Sequence, residues 1–431
     1  MLLVEAVISG TTYYLSQEGI ALTHWWDNKI ISFTPPKYQL RERHGGYVSL
    51  EFGSIEFAQD LFASAWPPPQ TITIEVMYTD TDEIDAETFF VGTGYHAGHS
   101  KESITYDLYG AEYSTNLLAT GTDYNGETVP LPRAFGAVSF VEPVRLPDQN
   151  GNQCYDLGHI QGTAGVNWHV FDDGVNVDAN VTNVGSNKFE YTVTPVGTLT
   201  ISGTGEDTTL KDICEWACGA SYLNLTFNHT YDRATSPDVN FWADSQEILV
   251  DFLSEIAAFN THLFYIKSGT FYLVDMFADN GTRTITEFDY FDAPYSYPAP
   301  VAKITAEWVI REAGTWSDPT NTSPAAVYVK ETDQTLSVES GFSYGEDIDI
   351  EPYTDIRANI DTAIDNILLI LARPESTIKI PLQGTLPVPG EKISWTDASF
   401  YADIDLWIRA RSISYDFDNE EIVIEGEGGV S

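Results

Sequence analysis

The sequence predicts a mainly β protein with short helices, an α+β chain divided into several domains. Three observations carry that expectation. Most segments alternate polar and apolar residues with period two, as half-buried strands do. Aromatic residues make up 13% of the chain, with 24 Tyr and 22 Phe against 3 Met, a composition suited to pleated surfaces. Only three stretches switch to helical periodicity. At 431 residues the chain is too long for one compact core, and about three or four domains are expected. We place them at 1–125, 126–205, 206–300 and 301–431.

Strand patterns run through "TITIEVMYT" (71–79), "KITAEWVI" (303–310), "STIKIPL" (376–382) and "DLWIRARSISYDF" (405–417). Such alternation implies antiparallel sheets or barrels with one buried face. In "THLFYIKSGTFYLVDMF" two aromatic-rich strands flank Ser268-Gly269, where Gly tolerates positive φ in a tight hairpin turn. Near the C-terminus "SISYDFDNEEIVIEGE" repeats the pattern around Asp418-Asn419.

The first helix is "TTLKDICEWACG", with Leu210, Ile213, Cys214 and Ala217 on one face, a Thr as cap and Gly219 to close it. The second, "DSQEILVDFLSEIAAF", offers Asp244 as cap with Glu247 three residues on, before Ile248, Leu249, Phe252, Leu253, Ile256 and Phe259. The third carries Ile356, Ile360, Ile364, Ile367 and Leu371, and Pro374 ends it. "AWPPPQ" (65–70) reads as a rigid turn, and "DAPYSYPAP" (292–300) and "GTWSDPTNTSPAA" (314–326) as linkers or long loops.

Charge sets limits on function. Against 21 Lys and Arg stand 64 Asp and Glu, a formal net charge of -43. Such a surface repels nucleic-acid phosphates and anionic membranes. The basic cluster Lys37, Arg41, Arg43 and His44 reads as a solvated loop. "MLLVEAVISG" lacks the basic n-region of a secretory signal, and no run approaches the roughly 20 apolar residues of a membrane span. Cys154, Cys214 and Cys218 have no disulfide spacing, which suits synthesis in a reducing cytoplasm. The sequons at Asn224 and Asn228 are then chance matches.

Several constellations have residue types suited to chemistry. "GFSYG" (341–345) has the G-x-S-x-G form of a hydrolase nucleophile elbow, but that mechanism needs a helix after Ser343 and a histidine downstream. Here "EDIDIEP" follows, and the last histidine, His262, lies upstream. Asp80, Asp82, Glu83, Asp85 and Glu87, followed by His96 and His99, suggest hard-cation ligands, but the glycine and terminal glutamate of a calcium loop are out of place, and an exposed acidic turn is the plainer reading. Cys214 and Cys218 share a helix face and, with Cys154 and a histidine, make a weak metal signal against buried free thiols. His24-Trp25-Trp26 and Tyr290-Phe291 suit sugar stacking or core packing. No catalytic, cofactor or metal residue is assigned, and no enzymatic activity is expected.

Residues 129–205 carry a recognisable order of motifs: "VPLPRAFGAVSFVEPVRL", "CYDLG", "VFDDGVNVD" and "FEYTVTPVGTLTISGTG". This order resembles tail proteins of long-tailed bacteriophages. The helix and hairpin of 208–276, and "LPVPGEKISWTD" with "ARSISYDFDNEEIVIEGE", are similar to baseplate hub and tail-tip proteins and to the spike bases of contractile injection systems. About two-thirds of the chain is covered. The resemblance implies antiparallel β-barrels of the hub and tail-tube type and a homotrimeric ring at the virion's tail tip. It implies contacts with a distal tail protein, the tape-measure protein and spike or tail fibre proteins, and DNA passing through the lumen without specific binding. Some such hubs hold an iron-sulfur cluster through four cysteines; this chain has three. An envelope polysaccharide or peptidoglycan hydrolase, or a receptor-binding module of the same particle, are the alternatives.

Overall fold

The computed structural model describes residues 1–51, 53–79, 86–110, 113–184, 187–231, 237–278, 282–285, 295–296, 298–316, 326–341, 344–397, 404–417 and 419–430. Strands dominate them, with three short α-helices: α1 (Leu210–Ala217), α2 (Leu249–Phe259) and α3 (Arg357–Leu371). The expected strands form at Thr71–Tyr78, Glu375–Pro381 and Ile404–Asp416, and "KITAEWVI" is part of a longer strand, Val301–Trp316.

The N-terminal region builds a nine-stranded sheet with Leu2–Ile8 and Thr71–Tyr78 as central neighbours. An eleven-stranded sheet takes strands from three of the four expected segments. In it Tyr38–Glu42 and Gly45–Leu50 lie between His262–Lys267 on one side and Ile404–Asp416 on the other. The apolar faces of these two sheets share one core, in which Phe57, Ile74, Ile378, Ile413 and Ile424 are fully buried. Pairing is mostly antiparallel, with parallel contacts where distant segments meet, as between His262–Lys267 and Gly45–Leu50.

Residues 137–204 supply two further four-stranded sheets around their own core of Val170, Phe189, Tyr191 and Ile201, with Trp168 fully buried. Val301–Trp316 and Ala326–Glu339 pair along fourteen positions as a long ribbon, and Glu346–Ile350 adds a third strand only at its base.

The helices fill the space behind the hairpin at Ser268-Gly269 and form the third core. In α1 Thr209 accepts from the Asp212 N–H at 3.2 Å while the Asp212 carboxylate accepts from the Thr209 N–H at 3.2 Å, a capping box. The second helix departs from expectation. It begins at Leu249, after Ile248 as N-cap with no side-chain bond, and Asp244 does not cap it. Ile248 is extended and bridges Asn116, while the Gln246 side chain exchanges two 2.9 Å bonds with the Leu118 backbone and Leu117 N–H donates to Glu247 O. A satisfied extended segment outcompetes one more helical turn. The helix lies so close to Gly45–Leu50 that a Cβ at Gly45 would sit 2.9 Å from Ala258 Cα, and at Gly46 2.8 Å from Ser254 Oγ. Both glycines have positive φ, 149° and 98°, so both the approach and the backbone require them.

Candidate functional site

A cavity of about 750 Å3 opens where two of these elements part. Gly45–Leu50 and His262–Lys267 pair only at Leu263↔Gly46 and Phe264↔Tyr47, and beyond that register the ladder ends. Tyr47, Tyr109 and Tyr113 line the opening with Glu75 and Asp251. Tyr47 stacks on Phe264 at 5.0 Å, and Tyr109 meets Tyr95 edge-on at 5.0 Å. Glu75 accepts from Thr88 Oγ1 at 2.8 Å. The lysine of the wall, Lys267, is paired with Glu87 at 2.7 Å.

A second concentration of chemistry is buried. Glu427, 1% exposed, sits among three guanidiniums: Arg411 at 3.1 Å, Arg373 at 3.5 Å and Arg409 at 3.8 Å. Glu375 bridges outward, 2.9 Å from both Arg411 and Arg43. Arg409 also donates to Gly390 O at 3.0 Å and Ala278 O at 2.9 Å, and Arg411 to Arg43 O at 3.0 Å. The cluster ties the turn at 43–44, the loop after Asp275, the end of α3 and the C-terminal strands into one junction. Burial pushes the Glu427 carboxyl up, and the three arginines pull it back.

The residues singled out in the sequence fall variously. Ser343, Asp80, Asp82, Glu83, Asp85, Tyr290 and Phe291 lie outside the described residues. Gly345 runs into the strand Glu346–Ile350. Glu87 is no free surface acid: it receives Lys267 and the Leu386 N–H, at 2.7 and 2.8 Å. His96 and His99 stack at 5.6 Å, with Trp66 edge-on to His99. Cys154 faces Glu190 across a ladder, whereas Cys214 and Cys218 are in the helical core. Burial and the nearby Glu215 push the Cys218 thiol up to about 12, disfavouring the thiolate that a metal needs. No group of three or more His, Cys, Asp or Glu suited to a metal occurs among the described residues. Trp26 is buried and Trp25 is 62% exposed.

The basic cluster is not the solvated loop expected. Lys37 approaches Glu425 at 3.8 Å, Arg43 belongs to the junction, and burial, then Arg43, lowers His44 to about 4. The side chain of Arg41 lies outside the described residues. The sequence offered no signal for the cavity or the junction, whose members are ordinary aromatic and charged residues of separate strands.

At the start of α2, burial first, and then Glu255, Glu351 and Asp251, raise the Glu247 carboxyl from 4.5 to about 7. The folded chain therefore holds this proton more tightly than the unfolded one. The stabilisation is complete below pH 4.5 and is lost as pH rises through about 7. Melting temperatures of the protein and of Glu247→Gln across this window test it: the wild type should lose stability relative to the variant as the pH rises, and a constant difference would refute the assignment.

No protein-family model matches the sequence, and no curated protein matches it. Among solved structures, the chain is similar to the tail protein from Neisseria meningitidis MC58, at 10% identity and a TM-score of 0.46, covering 99% of this chain and 96% of that one. It is similar to the 43 kDa tail protein of prophage MuSo2 from Shewanella oneidensis, at 11% identity and a TM-score of 0.44, covering 98% of each. The prophage tail protein gp18 from Listeria monocytogenes EGD-e gives 8% identity, a TM-score of 0.42, and coverage of 98% and 94%. Likenesses this low carry no function from those proteins to this chain.

Proposed function

We propose that the chain is a structural component of a bacteriophage tail tip, a baseplate hub ring that extends the tail tube, joins it to spike or fibre proteins and lets DNA pass. The observation that carries this reading is the ordered run of motifs at 129–205. Within it, residues 137–204 fold as two four-stranded sheets around one core, which supports reading that part of the run as a unit. In this reading three copies close the ring, with a distal tail protein above, the tape-measure protein inside and spike or fibre proteins outside. The net charge of -43 supports the conduit role: acidic walls repel passing phosphates, and few Lys or Arg remain to trap them.

Light scattering of the purified protein, with negative-stain images of the same peak, tests the proposal. The expected mass is three times 47.8 kDa, with a central hole in the images. A monomer at every concentration, with no ring in the images, overturns the ring, and a ring whose lumen is basic overturns the account of the charge.

A further inference from the structure

The cavity beside Gly45–Leu50 combines two kinds of wall. Tyr47, Tyr109 and Tyr113 are half-buried and present ring surface, and contacts with Phe264 and Tyr95 hold two of these rings in place. Between them stand hydroxyls of Ser49, Ser114 and Ser268 and the carboxylates of Glu75 and Asp251. With Lys267 committed to Glu87, the net charge facing a ligand is negative.

An anionic ligand would be repelled, and a wholly apolar one would desolvate the Ser114 and Ser268 hydroxyls and the Asp251 carboxylate without offering them partners. A ring carrying equatorial hydroxyls and apolar C–H faces satisfies both walls. We propose that this cavity binds a neutral saccharide of one to three pyranose units, with the tyrosine rings stacked on its C–H faces and Glu75 and Asp251 accepting from its hydroxyls. The volume, about 750 Å3, lies within the range of small-molecule sites. An organic cation would also find rings and carboxylates, but it leaves the Ser114 and Ser268 hydroxyls unused. The proposal stands on the cavity alone and does not depend on the ring reading.

The test is ligand-observed NMR and calorimetry on the full chain with maltotriose, cellotriose and chitotriose, and with tetramethylammonium as the competing chemistry. At least one trisaccharide is expected to bind at millimolar concentration or below. Asp251→Asn, at an exposed position, is expected to weaken binding roughly tenfold by removing a charge-assisted hydrogen bond. Ser114→Phe, also exposed, puts a ring into the opening and should abolish it. Both variants should keep the wild-type unfolding transition. The proposal is overturned if no trisaccharide binds, if only tetramethylammonium binds, or if both variants bind like the wild type.

Discussion

Glu427→Gln is expected to lower the stability of the eleven-stranded sheet by about 3–5 kcal/mol, the usual consequence of removing one partner from a buried ion pair. The carboxylate is 1% exposed and is the shared anion of Arg373, Arg409 and Arg411. Without it those three guanidiniums lose their shared anion at low dielectric, and of the three Arg411 keeps Glu375 at 2.9 Å. Two opposing effects meet at this carboxyl: burial favours the neutral acid and the arginines favour the anion. Three cations lie within 4.0 Å of it, so the variant removes the anion that all three share. Urea unfolding followed by tyrosine and tryptophan fluorescence measures the difference. A midpoint unchanged from wild type would mean that the carboxyl is already protonated in the native protein.

Phe252→Ala should cost about 3–5 kcal/mol, through the lost transfer energy of the ring and the cavity it leaves. Phe252 is fully buried on α2 and touches rings from three other segments: Phe135 at 5.2 Å, Phe241 at 5.9 Å and Tyr353 at 6.0 Å. The space cannot collapse easily because each of those neighbours is held by its own element: Phe135 and Phe241 are partners in one ladder, and the Tyr353 hydroxyl donates to Glu255. Thermal unfolding of Phe252→Ala and Phe252→Leu separates the two parts of the loss. The leucine variant keeps most of the volume and should lose well under half as much; equal losses would show that the site collapses freely.

Local structure was largely legible in the residues. Thr209 and Asp212 announce α1 because capping is a bond between near neighbours. Ser268-Gly269 announces the hairpin because its turn needs positive φ, and the two residues adopt 49° and 75°. Asp244 offers a capping signal that the structure does not use, because the next residues have partners in a loop more than a hundred positions earlier, the Gln246 side chain with the Leu118 backbone at a separation of 128. Glu87 stands in the sequence as one acid of an acidic run, yet Lys267, 180 positions away, pairs with it.

The sequence by itself determined the mainly β character, the three helices and the strongly negative net charge, since alternation, capping and charge act through near neighbours or through simple sums. Only the tertiary structure decided which charges are buried and where the cavity lies. Arg411 and Arg43 are 368 positions apart, and the opening between Gly45–Leu50 and His262–Lys267 exists only because two distant strands pair over two residues and then part. Such features depend on the register between segments, which no local pattern encodes.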